Sequence, residues 1–135
     1  MKTSGFTTVE VITVLVLIGI LSAVTVATVP RIGESEFAER LLLKSNLRYA
    51  RQRSMDTTSN WSVSFSGDTY TLNKDGIPGP TFPSGSGSRT VESGLLSAAT
   101  IEFESPDGTL AGGSLITVTF SGGSSVVVHP TGAIP

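Results

Sequence analysis

Gly5-Phe6-Thr7-Thr8-Val9-Glu10 closes a short polar leader and opens an apolar run that carries one carboxylate near its start. From Val11 to Val29 there are nineteen positions without a charge, and only Thr13, Gly19, Ser22, Thr25 and Thr28 interrupt the apolar residues. A helix of that length rises about 28 Å at ~1.5 Å per residue, close to the ~30 Å hydrocarbon thickness of a bilayer. The run is long enough to span. An acidic residue inside such a span is expensive, roughly 2.5 to 3.5 kcal/mol for aspartate at a helix centre on insertion scales, so Glu10 needs a compensating partner. An amino terminus would supply the opposite charge.

An ordinary secretory signal has a basic start, an apolar core of about 7 to 15 residues and small residues at a cleavage site behind that core. Here the core is longer, Lys2 is the only charge ahead of Glu10, and Thr25-Val26-Ala27 is a mediocre cleavage match. Gly5, Phe6 and Glu10, in identity and spacing, resemble the type IV pilin superfamily, whose leaders are cut between glycine and phenylalanine ahead of the helix and whose glutamate stands fifth after the cut. The resemblance implies cleavage by prepilin peptidase between Gly5 and Phe6, N-methylation of Phe6, and pairing of Glu10 with the new amine of a neighbouring subunit. Low dielectric favours such a pair, since neither charge has another good partner at that depth. The competing reading is a plain signal anchor with one polar residue near the interface.

The 135 residues, with a single apolar run, leave room for one membrane or filament helix and one small globular domain. The absence of cysteine excludes a disulfide framework, a thiolate metal site and a cysteine nucleophile. The net charge of -2 hides an asymmetry: residues 31–53 carry six cations against three glutamates, and residues 54–135 carry two cations against seven carboxylates. An acidic globular part is a poor platform for phosphate backbones, so nucleic acid is not expected as a partner.

Pro30 is the first break. From Glu34 to Arg53 the spacing is helical, with Ala38, Leu42, Leu43, Leu47, Tyr49 and Ala50 on one half of the wheel and Arg40, Lys44, Arg48 and Arg51 gathered opposite. Acids precede bases, the order a helix macrodipole favours. The basic side reads either as a solvated face or as a subunit contact that meets acidic patches of neighbours. Beyond Asn60 the period changes to two. Trp61, Val63 and Phe65 alternate with serines, Ser66-Gly67-Asp68 turns the chain, and Tyr70 and Leu72 follow, which predicts a hairpin. The proline- and glycine-rich stretch 76–88 reads as a flexible loop, with a variable contact loop as the alternative. Alternation returns at 100–104, 116–120 and 126–128, with turns at Pro106-Asp107-Gly108 and Gly122-Gly123, and Ala133-Ile134 offers an edge piece. These strands predict one antiparallel sheet with a buried face, covered by the 34–53 helix.

This layout, with Phe103-Glu104-Ser105-Pro106-Asp107-Gly108 before a strand pair and a closing Pro130-Thr131-Gly132, looks like the GspH/FimT-type minor pilins and pseudopilins. Many relatives place a proline at the position of Ala27, three residues before Pro30, which is a departure here. Some FimT-type proteins bind DNA through C-terminal arginines, and the closing His129-Pro130-Thr131-Gly132-Ala133-Ile134-Pro135 has none. His129, the single histidine, shares strand parity with Val127 and reads as a surface residue. Glu102, Glu104 and Asp107 match no calcium loop and read as a solvated strand edge.

The expected fold is therefore α+β: leader 1–5, a transmembrane or filament-core helix 6–29, an amphipathic helix 30–55, and an antiparallel β domain 56–135 with the flexible loop 76–88. The expected function, by resemblance, is that of a structural minor subunit of a type II secretion pseudopilus or type IV pilus, with no catalytic residue, cofactor or metal. Its expected partners are other pilin or pseudopilin subunits, prepilin peptidase and an inner-membrane assembly platform. It would cross the bacterial inner membrane once, with the globular domain extracytoplasmic. A FimT-like part in DNA uptake and a signal-anchored binding domain are the alternatives.

Overall fold

Valine, isoleucine and threonine lose side-chain freedom in a helix, yet a segment rich in them, Thr8–Thr28, forms helix α1. Its start is set by Thr7, whose hydroxyl accepts the Glu10 N–H at 3.3 Å and whose carbonyl accepts the Val11 N–H at 3.2 Å. That is an N-cap. Within the apolar run the Thr13 hydroxyl donates to the Val9 carbonyl at 2.8 Å, so its polar atom is satisfied inside the helix. The computed structural model describes Gly5 and residues 7–28 and 32–135, with side chains described outside 22–28 and 32–34. Residues 1–4, Phe6, Val29, Pro30 and Arg31 lie outside the described residues. The chain divides into two units, Met1–Arg31 and Ile32–Pro135. Among the described residues no helix is long and apolar enough to cross a membrane. The side chains of α1 are described only as far as Leu21, whereas the apolar run of the sequence continues to Val29.

In the second unit, helix α2 (Ile32–Asp56) packs against antiparallel sheet. Its buried stripe is narrower than the sequence suggests. Leu43, Leu47 and Ala50 are fully buried, together with the polar Glu36, Asn46 and Ser54, while Ala38 and Leu42 are exposed. The sequence places those two on the apolar half of the wheel, but the sheets reach only the sector centred on Leu43 and Leu47.

The single sheet expected from the alternation is in fact two. β1 (Trp61–Ser66) and β2 (Thr69–Lys74) form the hairpin, pairing Val63 with Leu72 and Phe65 with Tyr70. β3 (Ile77–Pro78) and β4 (Ser88–Thr90) cover the other edge of β2, and β6 (Ile101–Phe103) pairs with β1. The second sheet orders β5 (Leu95–Ser97), β7 (Ile116–Phe120) and β8 (Ser125–Val128), with Val118 opposite Val126. Helix α2 lies against β1 and β6 of one sheet and β8 of the other, so one helix face serves both. Ala133-Ile134 forms no strand; Ile134 is instead buried in the common core.

Segment 76–88 also departs from a plain loop. It contains β3, leads into β4, and inserts Phe82, 1% exposed, into the core edge-on to Tyr70 at 5.5 Å between ring centroids. The Phe82 N–H donates to the Ser86 carbonyl and the Leu72 N–H to the Gly87 carbonyl, both at 2.9 Å. Burying one phenylalanine contributes about 2 to 3 kcal/mol, enough to pin a stretch whose average composition favours none. Phe82→Ala is expected to destabilise the domain by about 3 to 5 kcal/mol, read from chemical denaturation followed by the fluorescence of Trp61, the single tryptophan.

Tyr70 joins the sheet to α2. Its hydroxyl accepts a hydrogen bond from the Asn46 side-chain nitrogen at 2.9 Å, with both residues buried. Burial raises the phenol above its ordinary value of 10.0, and the Asn46 bond offsets only part of that rise. The folded state thus holds the proton more tightly than the unfolded chain, so this contribution is whole below pH 10 and is lost as the pH climbs through the folded-state value. Tyr70→Phe is expected to flatten that alkaline loss in denaturation curves, at a neutral-pH cost of about 1 to 2 kcal/mol because Asn46 loses its acceptor.

Candidate assembly interface

The residues singled out by the sequence at the N-terminus fall into three situations. Gly5 is exposed coil, Phe6 lies outside the described residues, and Glu10 is exposed in the first turn of α1. The Glu10 backbone N–H is taken by Thr7, while its carboxylate has no polar partner among the described residues. Every large apolar residue from Val9 to Leu21 is between 47% and 73% exposed, on all sides of the helix. Ten such side chains in water would be costly at ~25 cal/mol per Å², so α1 presents a large exposed apolar surface.

Helix α2 distributes its charges in a way that residue spacing alone does not reveal. Glu36, buried, accepts from the Ser124 N–H at 3.1 Å and from the Ser124 hydroxyl, and the Gly122 Cα lies so close that a Cβ there would collide with the carboxylate. Glu39 accepts from the Glu92 N–H at 2.7 Å, the Ser93 N–H at 3.1 Å and the Ser93 hydroxyl. At the other end Arg48 donates to the Ile134 carbonyl at 2.8 Å, and Arg51 donates to the carbonyls of Gly108 and Thr131, each at 3.2 Å. Arg48 is exposed, as a solvated face requires, and both Arg48 and Arg51 also hold backbone. Acids near the helix start take loop N–H groups and bases near its end take loop carbonyls, and charge-assisted bonds of this kind are about twice as strong as neutral ones.

With Glu36 and Glu39 turned to the loops, Arg40 and Lys44 are left without a carboxylate partner among the described residues. The Arg40 guanidinium lies 5.4 Å from the centroid of the exposed Phe37 ring. Arg40 and Phe37 line one cleft together with Glu36, Gly122 and Ser124, and a second, shallow cleft of about 290 Å³ runs between α2 and β4, lined among others by Leu42, Tyr70, Arg89 and Val91. It holds no histidine or cysteine that could serve as a base or nucleophile. His129 is exposed at the end of β8, in line with its strand parity. Glu102 accepts from the Asn60 side chain at 3.1 Å, Glu104 and Asp107 are exposed, and no group of three potential metal ligands occurs among the described residues.

In comparisons with known proteins, the chain matches no family model, no curated protein and no solved structure. What bears on function is therefore the site itself: the N-terminal motif, the uncovered helix and the charged outer face of α2. One of its features carried a signal in the sequence. Thr7-Thr8-Val9-Glu10 has the spacing of a capping box, which accounts for the N-cap. The arginine bonds to carbonyls had none, because their acceptors lie 57 to 86 residues away along the backbone.

The Arg51 clamp depends on Gly132, at φ 76°, where a Cβ would collide with the Gly108 carbonyl oxygen and crowd the Arg51 Nε. Gly112 has a similar φ of 83° but open space around it. Gly132→Ala is therefore expected to lose at least about 3 kcal/mol in chemical denaturation, and Gly112→Ala only about 1 kcal/mol.

Proposed function

We propose that this chain is a structural subunit of a type IV pilin-like filament, in the manner of a minor pilin or type II secretion pseudopilin, and that it performs no catalysis. The single observation that carries this reading is α1: an apolar surface exposed on every side from Val9 to Leu21, with one carboxylate, Glu10, in its first turn that has no partner among the described residues. In this scheme the leader is cut between Gly5 and Phe6 by prepilin peptidase, Phe6 is methylated, and the apolar helix waits in the inner membrane with its globular domain outside. An assembly platform then passes it into a bundle of other subunits' helices, where packed side chains replace lipid. Glu10 pairs with the amine of a neighbouring Phe6 and so sets the register. Its backbone N–H is already used by the cap, which leaves the carboxylate free for that role.

The N-cap also favours a second reading, in which Glu10 serves the helix start of a plain signal anchor that holds an extracytoplasmic binding domain. A capping box accepts glutamine as well as glutamate at this position, whereas a charge pair does not. Glu10→Gln is expected to insert and be trimmed to a chain beginning at Phe6, seen by mass spectrometry, yet to enter sheared filaments at least tenfold less than wild type. Breaking a buried pair from one side costs about 3 to 5 kcal/mol, more than tenfold requires. Normal incorporation of Glu10→Gln would remove the charge-pairing role, and an intact leader would favour the anchor.

A further inference from the structure

The register of β2 against β4 sets Tyr70 opposite Arg89. Directly opposed residues of an antiparallel pair send their side chains to the same face of the sheet. Tyr70 faces α2, where its hydroxyl accepts from Asn46 at 2.9 Å, so the Arg89 side chain also rises toward the helix, and both residues line the cleft of about 290 Å³ between α2 and β4. Arg89 is half-buried there, and its guanidinium meets neither an acceptor nor a carboxylate within ion-pair reach among the described residues. The Tyr70 hydroxyl proton likewise meets no acceptor among them, since that oxygen only receives a bond. Buried N–H and O–H groups are seldom left unused, yet two donors stand idle at one cleft.

Negative charge lines the same cleft, in Glu39 and Glu92. The Glu39 carboxylate accepts from the N–H groups of Glu92 and Ser93 and keeps its charge, whereas Glu92 is exposed and its carboxylate has no partner among the described residues. One cation therefore stands against two carboxylates, which disfavours a plain anion such as phosphate. An acceptor for Arg89 fits only if the same molecule carries a cation for Glu92. Ala38 and Leu42, the apolar helix positions that the sheets leave uncovered, form an apolar wall with Val91. Apolar walls with a few placed polar groups make up small-molecule sites, and this volume lies at the lower end of their ~300 to 1,000 Å³ range. We propose that the cleft binds a small apolar α-amino acid as its zwitterion. The ligand carboxylate accepts from Arg89 and from the Tyr70 hydroxyl, the ammonium donates to Glu92, and the side chain lies on Ala38 and Leu42. The site is independent of the filament reading, because every group that forms it belongs to the second unit.

The full chain in a non-ionic detergent, titrated with L-leucine and followed by two-dimensional NMR, is expected to show saturable shifts of the Arg89 side-chain N–H and the Thr90 backbone N–H in the millimolar range. N-acetyl-leucine lacks the ammonium and leucinamide lacks the carboxylate. Each should bind at least about tenfold more weakly, as loss of one charge-assisted bond implies. Glycine, without an apolar side chain, should also bind more weakly than leucine. Arg89→Gln should remove the preference for leucine over leucinamide, and Glu92→Gln the preference for leucine over N-acetyl-leucine. A purely structural role for either residue would leave both preferences in place. Either preference surviving its substitution overturns the site, and so does the absence of saturable shifts in the wild-type chain. Equal binding of N-acetyl-leucine assigns the cleft to carboxylates in general, equal binding of leucinamide assigns it to amines, and equal binding of glycine removes the apolar wall; each overturns the proposal.

Discussion

The globular unit depends on one constraint: two small sheets must share a single helix face. Sheets of five and three strands each leave an inner surface that cannot be buried alone, and α2 packs on both. Leu43, Leu47 and Ala50 are thus held to small, fixed volumes, because a larger stripe would push the sheets apart. Loops supply the rest of the core. Phe82, Val91, Leu110 and Ile134 each contribute one buried side chain from otherwise polar connections, so the core is closed at its margins by segments without regular pairing.

That arrangement explains what could be read from the residues and what could not. Period-two alternation located β1, β2, β6, β7 and β8, and period 3.6 located α2, because each of these presents several side chains to one face. Alternation says which side of a strand is buried but not which strand lies beside it, so the separation into two sheets was invisible. β3, β4 and β5 span only two or three residues and have too few positions to show a period. Segment 76–88 departs from a plain loop for a related reason: proline and glycine dominate its composition, while one residue, Phe82, is buried in the core.

The charges of α2 follow the same logic. Glu36 and Arg40, four residues apart, look like ordinary helix-surface partners when only spacing is considered, and such pairs contribute about 0.2 to 0.5 kcal/mol. A buried carboxylate that accepts from two donors of a turn gains more, and it also satisfies backbone N–H groups that no strand reaches. The loops thereby win the acids. The carboxylates stay ionised in these bonds, so the loops are fastened without removing the charge of Glu36 from beside Arg40.

A comparable division of one residue between two tasks occurs at the start of α1. Glu10 gives its N–H to Thr7, and this bond needs no side-chain charge. A glutamine or an alanine could donate the same N–H, so the cap alone does not explain why an ionised group stands where the apolar run begins. The cost of carrying that group falls on the side chain, which has no polar partner within the described chain. In water the cost is nil, and in lipid or a helix bundle it is several kcal/mol unless an opposite charge arrives. A helix apolar on all sides does not belong in water. The carboxylate therefore calls for an opposite charge wherever such a helix is taken out of water, and the N–H bond to Thr7 does nothing to supply it.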